Sequence, residues 1–146
     1  MSQEPITHRN SMLRICVDNA DALTIQGRAY GQRLSAPIQF TGMGNMLLQL
    51  ERLMEAQNFP QAFQRIRTFT PVTTPTGYVP GYLPDDAMTE DEVSAQSGRL
   101  CTFILHVLTR QSATWQGSVD WLDGDEPQSF VSDLELLGLV DAKLSP

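Results

Sequence analysis

The chain has 146 residues, of which 41% are hydrophobic and 18% charged, and a formal net charge of −7. These values describe one globular domain, 1–146, large enough for a real core. They argue against a nucleic-acid partner, because such affinity comes mostly from neutralising phosphates. No apolar run approaches the ~20 residues of a membrane-spanning helix. The start, MSQEPITHRN, lacks a basic stretch followed by an apolar core, so a cytoplasmic protein is expected.

Residues 1–11 are polar and are expected to fray. From Met12 to Val17, Leu13, Ile15 and Val17 alternate with Arg14, Cys16 and Asp18, the period of a half-buried strand. Asn19-Ala20-Asp21 supplies turn chemistry. A second strand is predicted over Leu23–Gly31. Ile25, Gly27, Ala29 and Gly31 share one face; Thr24, Gln26, Arg28 and Tyr30 share the other. A short third strand is expected at Ile38–Thr41. A helix then runs to Asn58, capped by Thr41 or Gly42, with Met46, Leu47, Leu50, Leu53 and Met54 at helical spacing.

Residues 59–99 form a separate stretch. Gln61–Thr70 reads as a short helix or an edge strand. The segment TPVTTPTGYVPGYLPDD that follows is dense in proline, which excludes regular structure. It is expected to be an extended connection packed through Tyr78, Val79, Tyr82 and Leu83. Asp85–Glu92 is acidic and expected to be solvated.

The remainder repeats the beginning. A strand is predicted at Cys101–Thr109, with Phe103, Leu105 and Val107 on one face and Ile104, His106, Leu108 and Arg110 on the other. The next spans Thr114–Leu122, with Trp115, Gly117, Val119 and Trp121 inward. Asp123-Gly124 marks a hairpin, and Gln128–Val131 is a short strand. Ser132 with Glu135 at N3 makes a capping box for a helix carrying Leu134, Leu136, Leu137, Val140 and Leu144.

Slid by 90 positions without a gap, the two ends correspond. Leu13, Ile15 and Val17 fall on Phe103, Leu105 and Val107; Thr24-Ile25-Gln26-Gly27 falls on Thr114-Trp115-Gln116-Gly117; Pro37 and Phe40 fall on Pro127 and Phe130. The fold class read from this is α+β: two tandem β-β-β-α repeats, 12–58 and 100–146, separated by the connection 59–99. They should form antiparallel sheet with helices on one face, about a pseudo-two-fold.

Charge is unequal between the halves. Residues 1–67 hold seven Arg against five acids, and residues 68–146 hold two Arg and one Lys against twelve acids. Phosphate-loop, nucleophile-elbow and metal-ligand motifs are all missing. His8 and His106 lie far apart in sequence, and nothing there places them together. Asp120, Asp123, Asp125 and Glu126 surround a turn without the regular oxygen spacing of a calcium loop. The two cysteines, Cys16 and Cys101, read as buried or half-buried free thiols. Neither a metal nor a cofactor is therefore expected, and the chain is read as no enzyme.

Strand parity sends one face of the sheet toward the helices. The opposite face should display Arg14, Gln26, Arg28 and Tyr30 with His106, Arg110 and Gln116. Guanidinium groups, an aromatic ring and amides together suit a ligand-binding surface. Gln26 and Gln116 also have a structural reading, as outward supports of the ladder. Ile104 and Leu108 favour burial against a second chain, so a homodimer is among the expected assemblies.

Two resemblances add to this. Ala113-Thr114-Trp115-Gln116-Gly117, then Trp121-Leu122, Gln128-Ser129-Phe130 and Leu134-Glu135-Leu136, resembles a family of small bacterial proteins of clostridial type with no established activity. That resemblance implies a bacterial cytosolic protein. The duplicated strands-then-helix pattern is similar to the repeats of PUR-type single-stranded nucleic-acid binders and their whirly relatives. Those repeats have four strands and a basic face, where this chain has three and is acidic. The expected function is thus a non-enzymatic binding or regulatory module for a protein or small ligand, the alternative being single-stranded nucleic-acid binding.

Overall fold

The computed structural model describes residues 4–20, 24–63 and 81–145. Its elements are β1 (Leu13–Ala20), β2 (Ile25–Tyr30), β3 (Ile38–Thr41), α1 (Met43–Gln57), β4 (Ala62–Phe63), α2 (Glu90–Ser94), β5 (Cys101–Gln111), β6 (Gln116–Asp120), β7 (Gln128–Phe130) and α3 (Asp133–Leu144). The fold is α+β. Six strands form one antiparallel sheet in the order β3-β2-β1-β5-β6-β7, and β4 pairs in parallel with the end of β5.

The alternating strands build the middle of the sheet. β1 and β5 pair antiparallel, with Leu13 opposite Leu105, Arg14 opposite Ile104 and Ile15 opposite Phe103. Leu13, Ile15, Val17, Phe103, Leu105 and Val107 all lie in the core. Helix α1 covers this face with Met46, Leu50 and Met54, and α3 with Leu136 and Val140. Each such buried side chain contributes about 2 kcal/mol by leaving water. Trp115, Trp121 and Phe130 complete the core, as the parity of their strands predicts.

Two glycines let the strands approach. A Cβ at Gly27 would overlap the Cys16 carbonyl and the Phe40 ring, and one at Gly117 would overlap the His106 carbonyl. Val17 faces Gly27 and Val107 faces Gly117; beyond each pair the register breaks, so that Asn19 faces Gln26 and Thr109 faces Gln116. Asp18 and Leu108 are the extra residues, as in a β-bulge. A bulge shifts the strand's alternation by one, which matters below for Arg110.

Several expectations need correction. Residues 4–11 are packed: Ile6, Asn10 and Ser11 are buried, Ile6 N–H donates to Gly81 C=O at 3.0 Å and Leu83 N–H to Glu4 C=O at 2.8 Å. Pairing with residues 81–83 supplies the partners that their polar composition alone does not reveal. In the 59–99 stretch, β4 lies within Gln61–Thr70, where a short helix or an edge strand was expected, whereas α2 was not foreseen. Thr89 caps α2, its hydroxyl accepting from Glu92 N–H at 3.1 Å while the Glu92 carboxylate accepts from Thr89 N–H at 3.3 Å. The acidic residues of the run Asp85–Glu92 are exposed, as expected, and its last three also form the first turn of α2, where acidic residues favour a helix start. Expectations for residues 64–70, for Tyr78 and Val79, and for the start of the second strand fall outside the described residues. At α3, Ser132 accepts from Glu135 N–H at 3.1 Å, the serine half of the expected capping box. At α1, Gly42 precedes the helix without any side-chain cap bond.

Candidate binding surface

The face of the sheet turned away from α1 and α3 carries most of the expected site residues, but the chain itself occupies much of it. Arg14 Nε donates to Gln96 C=O at 2.6 Å. Arg28 binds Asp18 through Nε at 2.9 Å and Nη2 at 3.0 Å, Tyr30 Oη through Nη1 at 2.6 Å, and Ser97 C=O through Nη2 at 2.9 Å. Gln96 and Ser97 therefore cross this face as a strap after α2. Beneath it Cys16 is fully buried and Tyr30 nearly so. The hydrogen bond from Arg28 holds the Asp18 carboxyl below its ordinary range, and the same bond raises the Arg28 guanidinium. Asp18 was not legible as this partner, because only the bulge fixes its position.

The second half of the face is arranged differently. Gln116 is a staple: its Oε1 accepts from Thr109 Oγ1 at 2.7 Å and Gln111 N–H at 2.8 Å, and its Nε2 donates to the carbonyls of Gln111, Thr114 and Val131. This is the structural role among its two readings. His106 is half-buried, and its ring lies 5.6 Å from that of His8, which in turn lies 5.0 Å from Phe59. The packed start of the chain brings these histidines together, which the sequence reading did not foresee. His106 Nε2 is buried and has no hydrogen-bond partner among the described residues. Burial, and then the neighbouring His8, push its pKa down.

Arg110 is a correction. It was placed beside His106, yet the bulge at Leu108 turns it to the helix side. There it is only 3% exposed, with Nε on Pro60 C=O at 2.7 Å and Nη1 on Glu51 at 2.9 Å and Glu55 at 2.6 Å. The expected seven thus separate. Arg14, Arg28 and Tyr30 cluster under the strap, His106 and Gln116 lie in the other half, Arg110 is on the opposite face, and Gln26 stands apart.

Gln26 is exposed and lines a cleft of about 480 Å³ with Asp18, Asn19, Ala20, Thr24, Arg99 and Leu100. The cleft lies where the β1 bulge ends and the strap returns to β5. Arg99 is anchored by its backbone N–H on Asp18 Oδ1 at 3.2 Å, leaving an exposed guanidinium beside the exposed Gln26 amide. Leu100, 54% exposed, adds an apolar wall. This set joins the Arg99 guanidinium, the Asp18 carboxylate already paired with Arg28, amide groups and a hydrophobic patch, in a volume within the range of small-molecule sites. A second cleft, of about 460 Å³, lies between the hairpin after β6 and α3. Lys143 Nζ binds both Asp123 and Asp125 there and sits 5.4 Å from the Trp121 ring centre. Its ammonium occupies the position the acidic turn offers to a cation. Among the described residues, no group of three or more His, Cys, Asp or Glu could hold a metal ion, and no helix is long and apolar enough to cross a membrane. The chain matches no protein-family model, no curated protein and no solved structure.

Proposed function

We propose that this protein is a non-enzymatic binding module, with the Gln26–Arg99 cleft as its ligand site. The observation that carries this reading is the pairing of an exposed guanidinium and an exposed amide in a cleft of about 480 Å³. The ligand class it suits is a small anion bearing an amide or backbone-like group. Arg99 would meet the anion, Gln26 would meet the amide through its donor and acceptor, and Leu100 would cover an apolar part. The cytoplasm is the proposed location, as in the clostridial-type family the sequence resembles.

Binding of single-stranded nucleic acid on the outer face has less support. The guanidinium groups of Arg14 and Arg28 are each hydrogen-bonded within the chain, so phosphates would compete with existing partners, and Arg110 is bound on the opposite face.

The architecture that accompanies this reading is a duplication: β-β-β-α units 12–58 and 100–146 about a pseudo-two-fold between Arg14 and Ile104. Its support is the constant offset. Val17–Gly27, Asn19–Gln26 and Gly27–Phe40 recur 90 residues on as Val107–Gly117, Thr109–Gln116 and Gly117–Phe130, and α1 and α3 begin at Met43 and Asp133. One unit has a cleft with exposed Gln26; the other spends Gln116 on its hairpin.

The test is calorimetric titration with dicarboxylates and acidic dipeptides, on wild type and on Arg99→Ala and Gln26→Ala. Binding weakened about tenfold or more by Arg99→Ala supports the reading. Affinity untouched by both substitutions, or no binding across the panel, would remove the cleft from consideration.

A further inference from the structure

The two edges of the sheet are finished differently. On β3, Gly42 N–H donates to Ile25 C=O at 2.6 Å, so antiparallel alternation turns Phe40 inward and leaves Gln39 and Thr41 facing out. Two of their four outward backbone groups are capped from α1. Thr41 N–H donates to Asn45 Oδ1 at 3.1 Å, and Gln49 Nε2 donates to Gln39 C=O at 2.8 Å. Such caps remove the pairing groups that make an edge adhesive.

β7 has the same register 90 residues later, with Ser129 opposite Ser118. Trp115 N–H points to the β7 side, reaching Asp133 Oδ1 at 2.9 Å. Alternation along β6 therefore directs Gly117 and Val119 at β7, and Ser129 faces its N–H and C=O outward. The α3 residues in place of Asn45 and Gln49 are Glu135 and Leu139. Leu139 has no polar atom with which to act as Gln49 does. Ser129 is exposed, Val131 is 62% exposed and Leu134 is 78% exposed. Glu126 precedes β7 and Glu135 follows Leu134 in the chain, and both are exposed.

We propose that β7 is an open sheet edge that binds an extended basic segment of a partner protein by strand addition. Ser129 N–H and C=O, Val131 N–H and Pro127 C=O would carry the ladder, and Pro127, having no N–H, would end it. Main-chain bonds give affinity in this mode, and alternate side chains give specificity. An apolar residue of the partner would lie on Val131 and Leu134, with Lys or Arg beside Glu126 and Glu135. Charge complementarity selects this occupant over a second copy of the chain, whose own β7 would bring the same acids into contact.

The test is fluorescence anisotropy with a labelled ten-residue peptide of alternating Lys and Val. Controls are the same peptide N-methylated at alternate backbone amides and an alternating Glu–Val peptide. The Lys–Val peptide should bind wild type, and Ser129→Pro should weaken it about tenfold or more. The N-methylated and Glu–Val peptides should not bind. No binding of the Lys–Val peptide, or equal binding of its N-methylated form, would overturn the proposal. If Ser129→Pro fails to fold by circular dichroism, the N-methylated peptide on wild type decides alone. Sedimentation that finds a dimer abolished by Ser129→Pro would assign the edge to a second copy and overturn the peptide reading.

Discussion

Trp115 donates its indole N–H to Glu51 Oε2 at 2.5 Å, while the other oxygen of that carboxylate accepts from Arg110 Nη1 at 2.9 Å. One side chain of α1 thereby ties down both the end of β5 and the start of β6. Removing it leaves a buried indole N–H unpaired and a buried guanidinium with fewer partners. Glu51→Ala should cost about 2 kcal/mol. Glu51→Gln, which keeps an acceptor, should cost about half as much. Arg110→Ala should cost about 3 kcal/mol, because it leaves the buried Pro60 carbonyl unpaired and opens space. Urea unfolding followed by tryptophan fluorescence measures all three. An Arg110→Ala protein as stable as wild type would contradict the account.

The glycines divide into two pairs with opposite expectations. Gly27→Ala and Gly117→Ala place a methyl against a backbone carbonyl of the neighbouring strand, and strands in mid-sheet cannot move apart cheaply. Each should cost about 3 kcal/mol, near the upper range for overpacking. Gly44 and Gly138 are helical positions where a Cβ would meet nothing within 4 Å. Alanine there should stabilise by about 0.5–1 kcal/mol through propensity and the unfolded chain's lost freedom. Thermal melts of the four variants separate the pairs; destabilisation by Gly44→Ala would contradict the open surroundings of that position.

What the sequence revealed follows from which features are periodic. The alternation of Leu13, Ile15 and Val17 and the spacing of Met46, Leu50 and Met54 each mark one apolar face, and those faces meet in the core. Turn chemistry at Asp123-Gly124 and the cap at Ser132 also operate locally and were visible. The site was harder to read because it depends on departures from periodicity. The bulge at Leu108 reverses Arg110, which strict alternation had set beside His106. The strap through Gln96 and Ser97 claims Arg14 and Arg28, and no local pattern announces a contact across 82 residues. His8 meets His106 because residues 4–11 are held by residues 81–83, again a tertiary effect. Arg99 carried no signal beyond its charge.

The two thiols should differ in reactivity. Cys16 is fully buried under the strap, Cys101 is only partly covered, and both are free. Burial raises the pKa of each, so the reactive thiolate is scarce in both at neutral pH. With a disulfide reagent at pH 8, Cys101 should react slowly and Cys16 far more slowly, at a rate set by opening of the fold. Unfolding in urea should make the two equal. Cys101→Ser should abolish the faster phase; a native Cys16 reacting at the unfolded rate would show that the strap does not protect it.

Stability should fall on mild acidification, and His106 sets the direction. Its folded-state pKa lies below the ordinary value of 6.5, first because burial disfavours the charged ring and then because His8 is adjacent. The unfolded chain therefore binds this proton at a higher pH than the folded chain does. Its neutral form is accommodated fully above 6.5, and stability declines as pH falls from 6.5 toward the depressed value, where the loss levels off. The Asp18 carboxyl, held below its ordinary 3.8 by Arg28, contributes stability that is lost only at lower pH. The two effects occupy different windows. Urea midpoints at pH 7.5, 6.5 and 5.5 should decrease in that order for wild type. His106→Phe keeps a planar ring while removing both the titration and the unpartnered Nε2, so its midpoints should vary less over the same range and at pH 7.5 should equal or exceed wild type. His8→Gln should reduce the slope less than His106→Phe does, since burial is the larger cause. Identical slopes in wild type and His106→Phe would mean that another group governs this window.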